Sequence, residues 1–301
     1  MSIRAKVISY LIRRAIQPHF DQVEDVDAFR LHLASAGRLS SAPPKHIQVS
    51  HETISELPCE WLQAPASGAS RVLLYLHGGG YVAGGLDSHR ELAWRLAEAA
   101  GLKVLLVDYP LAPEHPFPTA LDQVTECYRA LLEQGYEAGD IALGGDSAGG
   151  GLALALLLNL KNRGLPLPYR VILLSPWVDL TLSGDSMVTN VNTDVMLTPR
   201  GLTKMAGFYL SERDAKAPLA SPLFGDLSGL PPLLVHVSDT EVLLSDAQRL
   251  VAAVESQGGS VELTIWPSMP HVFQVLAARI PEGKQAIAAL GEFLAKRDAR
   301  F

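Results

Sequence analysis

The sequence predicts an α/β domain: a mostly parallel sheet of about eight strands with helices on both faces. Three observations predict it. Six short apolar runs alternate along the chain with helical stretches, the rhythm of strand–helix–strand units. The runs are nearly continuous rather than alternating, as strands covered on both faces require. Hydrophobic residues make up 48% of the 301 residues and charged ones 19%, enough apolar mass for one large core.

In chain order, residues 2–16 read as a basic amphipathic helix with Ile3, Val7, Leu11 and Ala15 on one side. That stripe could touch a membrane; a helix lying over the main domain is the preferred reading. Residues 39–45 form a Ser/Pro linker, and 46–63 alternate with β-branched residues, as an antiparallel hairpin at a sheet edge does. The apolar runs follow at 71–76, 103–107, 141–143, 170–174, 233–237 and 261–265. Between and after them, helical periodicity covers 89–100, 119–134, 149–163, 241–257 and 282–297. One region breaks the rhythm: between Trp177 and Leu230 there is no strand pattern, only a helical segment at 200–210. Residues 180–215 are therefore expected to insert above the sheet and, with residues 1–40, to form a cap on a single domain.

Charge and cysteine use exclude several classes. Acidic residues outnumber basic ones, 32 to 25, for a net charge of -7, and no basic stripe offers a nucleic acid a footprint. Cys59 and Cys127 give neither a disulfide framework nor zinc spacing and read as buried thiols. The longest apolar run, 152–158, is too short to span a bilayer. No stable membrane insertion is expected, and the first residues carry no signal-peptide pattern, so the expected location is the cytoplasm.

Two glycine-rich motifs carry the chemistry. Gly145-Asp146-Ser147-Ala148-Gly149 lies between a strand and an apolar helix, the context of a nucleophile elbow. A sharp turn there forces Ser147 into strained backbone and lifts its hydroxyl above a helix N-terminus, whose dipole favours developing negative charge. A phosphate-binding turn is the competing reading, but no lysine follows in P-loop spacing. His77-Gly78-Gly79-Gly80-Tyr81 follows the strand at 71–76. Its consecutive glycines allow backbone N–H groups to turn toward an oxyanion; Gly79, Gly80 and Ala148 are the expected donors. Taken alone, a loop with no role would be as good a reading.

These two motifs, with Asp108-Tyr109, the segment Leu111-Ala112-Pro113-Glu114-His115-Pro116-Phe117-Pro118 and Ser175-Pro176-Trp177-Val178-Asp179-Leu180, resemble the bacterial hormone-sensitive-lipase-like (family IV) esterases of the α/β-hydrolase superfamily. The likeness runs from about residue 70 to 297. It implies an α/β-hydrolase fold with a helical cap and hydrolysis of short- to medium-chain carboxylic esters, with no metal or organic cofactor. Pro110 departs from the pattern: many members carry arginine there.

His271, in the Pro-rich loop after the run at 261–265, stands where the chain order serine, acid, histidine expects the base. His236 falls inside a strand run and reads as core. The acid lies in the loop from Ser238 to Asp246. Glu241 aligns with the family's catalytic aspartate, and Asp239 is the alternative. Glu241 could instead form a capping box with Ser238, and Asp239 could be a helix N-cap. Tyr81, Val82, Trp177, Met196, Leu197, Phe208 and Tyr209 could line an apolar substrate cleft, although each residue type is more often plain core. The same triad could serve lactones, acetyl esters or amides, and a non-catalytic small-molecule receptor is a remote alternative that His271 argues against. The last strand, at a sheet edge, exposes unpaired backbone groups, so a homodimer through 261–265 is a further expectation.

Overall fold

The structure, a computed structural model, describes residues 1–37, 42–65 and 70–296. The linker residues 39–41, the end of the 1–40 cap and position 297 of the last helical stretch lie outside the described residues. Eight strands form one sheet: β1 (Gln48–Ile54), β2 (Leu57–Gln63), β3 (Val72–Leu76), β4 (Lys103–Val107), β5 (Ile141–Asp146), β6 (Arg170–Leu174), β7 (Leu233–Ser238) and β8 (Val261–Trp266). Their order is β1-β2-β4-β3-β5-β6-β7-β8. The hairpin β1–β2 is antiparallel and joins β4 antiparallel; every later pairing is parallel.

The side-chain alternation of the strands sorts the core into two layers. Leu74, Leu76, Leu105, Val107, Leu143, Val171, Leu173, Val235 and Val237 point to one face. There they meet α5 (Thr119–Glu133), α6 (Ala148–Asn162) and α9 (Leu244–Ser256). Leu73, Tyr75, Val104, Leu106, Ala142, Ile172 and Leu174 point to the other, under α4 (Leu86–Ala100) and α10 (Pro281–Ala295). Helix α6 is apolar all round and buried from Ala148 to Leu160, as a helix at the centre of a domain must be.

Strand β5 runs to Asp146 instead of stopping at 143. Gly144 and Gly145 lack strand propensity, and only the pairing with β3 and β6 reveals them as strand. Helix α9 begins at Leu244, not 241, which leaves Glu241 in the turn before it. Two helices that periodicity does not announce, α2 (Gln17–Phe20) and α3 (Val26–Gly37), follow α1 (Ile3–Ala15). The 180–215 region holds α7 (Ser186–Thr189) and α8 (Pro199–Leu210).

The orientation of α1 corrects the sequence reading. Its buried face carries Ala5 and Ser9, with Ala5 packed on Met269, Phe273, Ile280 and Ala286. The stripe Ile3, Val7, Leu11 faces outward instead. α1 is apolar on two sides, so periodicity alone could not assign its phase. The first helices are tied to the 190–204 region: Arg13 donates to the carbonyls of Asn192 and Thr193. Gln17 donates to the carbonyl of Asp194, Thr198 to the carboxylate of Asp21, and Lys204 to the carbonyl of Asp21. Cys59 and Cys127, distant in sequence, are neighbours in the core: a sulfur hydrogen bond to Cys59 and burial push the Cys127 thiol up. Among the described residues, no helix is long and apolar enough to cross a membrane.

Candidate active site

The candidate residues collect at the carboxyl ends of β3, β5, β6, β7 and β8. Ser147 follows β5 with φ 52° and ψ -123°, a region that a residue with a Cβ occupies only under strain of the order of 1–3 kcal/mol. Three hydrogen bonds hold it there. Its N–H donates to the carbonyl of Leu174 at the end of β6 (2.8 Å), and its carbonyl accepts from Gly151 and Trp177. Gly149 makes the elbow possible: a Cβ there would stand 2.1 Å from the carbonyl oxygen of Leu76. Other strained non-glycine residues lie at the same strand ends: Tyr81, Ser175 and Val272, with φ of 64°, 47° and 48°.

His271 is buried, and its Nδ1–H donates to Glu241 Oε2 at 2.5 Å. The other carboxylate oxygen, Oε1, accepts from the Ser238 N–H (2.7 Å) and the Ser175 hydroxyl (2.8 Å). Glu241 thus accepts three hydrogen bonds, which compensate its burial. Burial alone would lower the imidazole pKa. The charge of Glu241 and its hydrogen bond, with Asp194 and Asp146 nearby, more than offset this and hold it above the ordinary value. Asp239 points elsewhere: it is exposed, and its carboxylate accepts from the Ser268 N–H at 2.6 Å. It is therefore neither the partner of His271 nor an N-cap. Glu241 accepts from the Ser238 N–H, one half of a capping box, but its own N–H donates to the Ser238 carbonyl and not the hydroxyl, and α9 begins only at Leu244. The Ser238 hydroxyl accepts from the Met269 N–H, and the Thr240 hydroxyl donates to the Met269 carbonyl. Both bonds clamp the histidine loop to the acid loop.

The glycine loop leaves β3 beside the elbow. Gly79 has φ 127°, open to glycine alone, and its carbonyl accepts from Val82 and Ala83. Among the described residues, the N–H groups of Gly79 and Gly80 have no acceptor. Ala148 opens α6, where N–H groups lack intrahelical acceptors. His77 stacks on Tyr109 at 4.2 Å, and the Tyr109 hydroxyl donates to the His77 carbonyl. Burial lowers the His77 pKa to about 3, so the ring is neutral.

Several residues to which the sequence assigns no role complete the site. Asp146 accepts from the Tyr75 hydroxyl (3.0 Å), and His89 Nε2 stands 3.2 Å from its other oxygen. Burial would raise the Asp146 carboxyl, but His89 and Tyr75 hold it below the usual range. A Cβ on Gly78 would meet this carboxylate at 2.1 Å, so Asp146 braces the elbow against the glycine loop. Asp194 accepts from Met196, Leu197 and Val242 N–H groups, fastening the 190s segment to the acid loop. Met205, on α8, lies directly over Gly80. His236 is buried in β7 against Trp266, a core residue.

Among the residues considered for the cleft, Tyr81 stacks on Tyr209 at 3.7 Å, with Trp177 6.1 Å from Tyr81. Val82 and Leu197 are buried, and Met196 and Phe208 are half-buried against the same core. Among the described residues, no group of three or more His, Cys, Asp or Glu side chains is arranged to hold a metal ion.

A family model described as alpha/beta hydrolase fold matches residues 73–275. An esterase from the bacterial hormone-sensitive lipase family superposes with a TM-score of 0.93 at 41% identity, each chain covered over 98%. This chain belongs to the α/β-hydrolase family, in its bacterial hormone-sensitive-lipase branch. Within that family it is 44% identical to an acetyl-hydrolase of Streptomyces hygroscopicus over 86% of this chain and 84% of the relative. It also superposes, with a TM-score of 0.91 at 40% identity over 98% of each chain, on EstE5 soaked by p-nitrophenyl butyrate.

Proposed function

We propose that the protein is a serine carboxylesterase that hydrolyses short- to medium-chain esters through an acyl-enzyme on Ser147. The observation that carries the reading is the Glu241–His271 pair, linked through Ser175 and Leu174 to the strained Ser147. In the first half-reaction, His271 Nε2 takes the Ser147 proton as the hydroxyl oxygen attacks the ester carbonyl carbon. Glu241 stabilises the resulting imidazolium and fixes the tautomer. The oxyanion rests on the N–H groups of Gly79, Gly80 and Ala148, each worth on the order of 3 kcal/mol in comparable hydrolases. The C–O bond breaks, the alcohol leaves with the proton from His271, and water repeats the sequence on the acyl-enzyme.

The decisive assay is turnover of p-nitrophenyl acetate and butyrate by the purified protein; no hydrolysis of either would end the esterase reading. The resemblance to an acetyl-hydrolase supports acetyl esters as a substrate class, and a panel of acyl lengths tests it.

The pH profile carries a prediction with a definite sign. Only neutral His271 has a lone pair to accept the serine proton, so kcat/KM should rise with pH through the histidine pKa. Glu241 and its neighbours raise that pKa, which places the midpoint above the ordinary 6.5. A midpoint well below it would contradict the arrangement.

The reading extends to the cap and to assembly. Residues 1–37 and 180–215, joined through Arg13, Gln17, Thr198 and Lys204, shape the substrate site, with Met205 over Gly80 as their nearest approach. Tyr81, Val82, Trp177, Met196, Leu197, Phe208 and Tyr209 form its apolar wall. Deleting residues 1–30 should cripple activity or solubility; a truncated protein with normal acyl-chain preference would contradict the cap. A homodimer forms through β8, whose outer edge pairs with no strand among the described residues and so offers free N–H and C=O groups. Light scattering from a monomer at micromolar concentration would dispose of it. A cytoplasmic location is part of the same reading, and cell fractionation checks it.

A further inference from the structure

Helix α1 has two apolar faces, and among the described residues only one is covered. The inner face, Ala5 with Ile8 beside it, rests on Met269 and Phe273, the segment that contains His271. On the outer face Ile3 is 81% exposed, Val7 53%, Tyr10 54% and Leu11 54%. These positions follow the i, i+4, i+7, i+8 spacing of a single stripe. Isolated exposed apolar residues are unremarkable, but a contiguous stripe marks an interaction surface.

The charge around the stripe points to its partner. α1 carries Arg4, Lys6, Arg13 and Arg14 and no acidic residue, although the chain as a whole has a net charge of -7. On the helical wheel Arg4 and Lys6 fall to either side of the stripe. Arg14 lies on it, its guanidinium 4.8 Å over the Tyr10 ring. Among the described residues none of the four makes an ion pair; Arg13 is bonded to backbone carbonyls, and the segment it holds bears two more exposed valines, Val188 and Val191. An apolar stripe flanked by cations on stems long enough to reach headgroups is the pattern of a helix lying in a lipid–water interface. A second copy is a poor occupant: a two-fold contact through this face would set four cations against four.

We propose that the outer face of α1 docks the protein reversibly on an anionic lipid surface, without crossing it. Docking would place the lipid against the outer face of α1, with the helix between it and the loop that carries His271. The docking itself does not depend on the esterase reading, and it is tested apart from it.

The test is co-sedimentation with vesicles, using the Ser147→Ala protein so that hydrolysis plays no part. Vesicles of phosphatidylcholine with phosphatidylglycerol should carry the protein down; phosphatidylcholine alone should not, and added salt should weaken the binding. The double variant Val7→Glu, Leu11→Glu should lose binding. The double variant Arg4→Ala, Lys6→Ala should weaken it by about fivefold for each cation removed. Circular dichroism and the thermal midpoint of both variants should match the parent, because the replaced side chains face solvent. Equal binding to neutral and anionic vesicles, no binding to either, or full binding by the Val7→Glu, Leu11→Glu protein would overturn the proposal. A dimer in light scattering that this variant dissociates would overturn it as well, by showing that a second copy covers the face.

Discussion

Ser147→Ala should abolish ester hydrolysis while leaving the fold intact. Loss of the nucleophile in a triad costs on the order of 10⁶-fold in kcat, because the histidine and the acid then have no proton to move. The hydroxyl makes no hydrogen bond among the described residues that would stabilise the fold, while the backbone bonds to Leu174, Gly151 and Trp177 survive the change. Measured side by side, kcat should collapse and the thermal midpoint stay. Retention of more than a few per cent of parental kcat, or a midpoint that falls with activity, would remove Ser147 from the role proposed for it.

Glu241→Gln should lower kcat by about 10⁴-fold, as the loss of the triad carboxylate does in a serine protease. The amide can still accept from Ser238 and Ser175, but it cannot stabilise an imidazolium, and it permits the wrong tautomer of His271. The same change should also move the acid limb of the pH profile down, because Glu241 is the main group raising the histidine pKa against burial. Asp239→Asn is the control within the same loop. Its carboxylate bonds the Ser268 N–H on an exposed turn, so the expected loss is about 1 kcal/mol of stability or less with kcat nearly unchanged. If Asp239→Asn is the dead enzyme and Glu241→Gln only a less stable one, the two roles are reversed.

The supporting shell invites a smaller test. Asp146→Asn keeps the shape between Gly145 and Ser147 but removes the charge that faces His89 and abuts Gly78. If Asp146 positions the glycine loop, kcat should fall while KM holds, with the nucleophile still reactive toward a phosphonate. A fall in the thermal midpoint with unchanged kcat would assign it a structural role alone.

Legibility in the sequence followed the range of the interactions. The elbow and the glycine loop were readable because their constraints are local: five or six consecutive residues must make a turn that only glycines permit. The central strands were readable because burial on both faces leaves continuous apolar runs. Glu241 and His271 lie 30 residues apart; chain order points to His271, and likeness to the family's catalytic aspartate points to Glu241 with Asp239 as the alternative. What escaped depends on neighbours that only the folded sheet creates. Ser175 meets Glu241 because β6 lies beside β7, and no local pattern says so. The last residues of β5 were hidden because Gly144 and Gly145 carry no strand signal, and pairing with β3 and β6 decides them. The phase of α1 was misread for a different reason: apolar residues on two sides leave two possible inner faces, and contact with Met269 and Phe273 selects Ala5.

In the proposed mechanism the Ser147 Oγ bonds the acyl carbon, with His271 as its base. The most direct measurement is labelling with a serine-directed phosphonate ester followed by peptide mapping in a mass spectrometer. One adduct per chain is expected, on Ser147, forming in step with loss of p-nitrophenyl butyrate hydrolysis and strongly slowed in His271→Ala. A stoichiometric adduct on another residue, or complete loss of activity with Ser147 unmodified, would contradict the account.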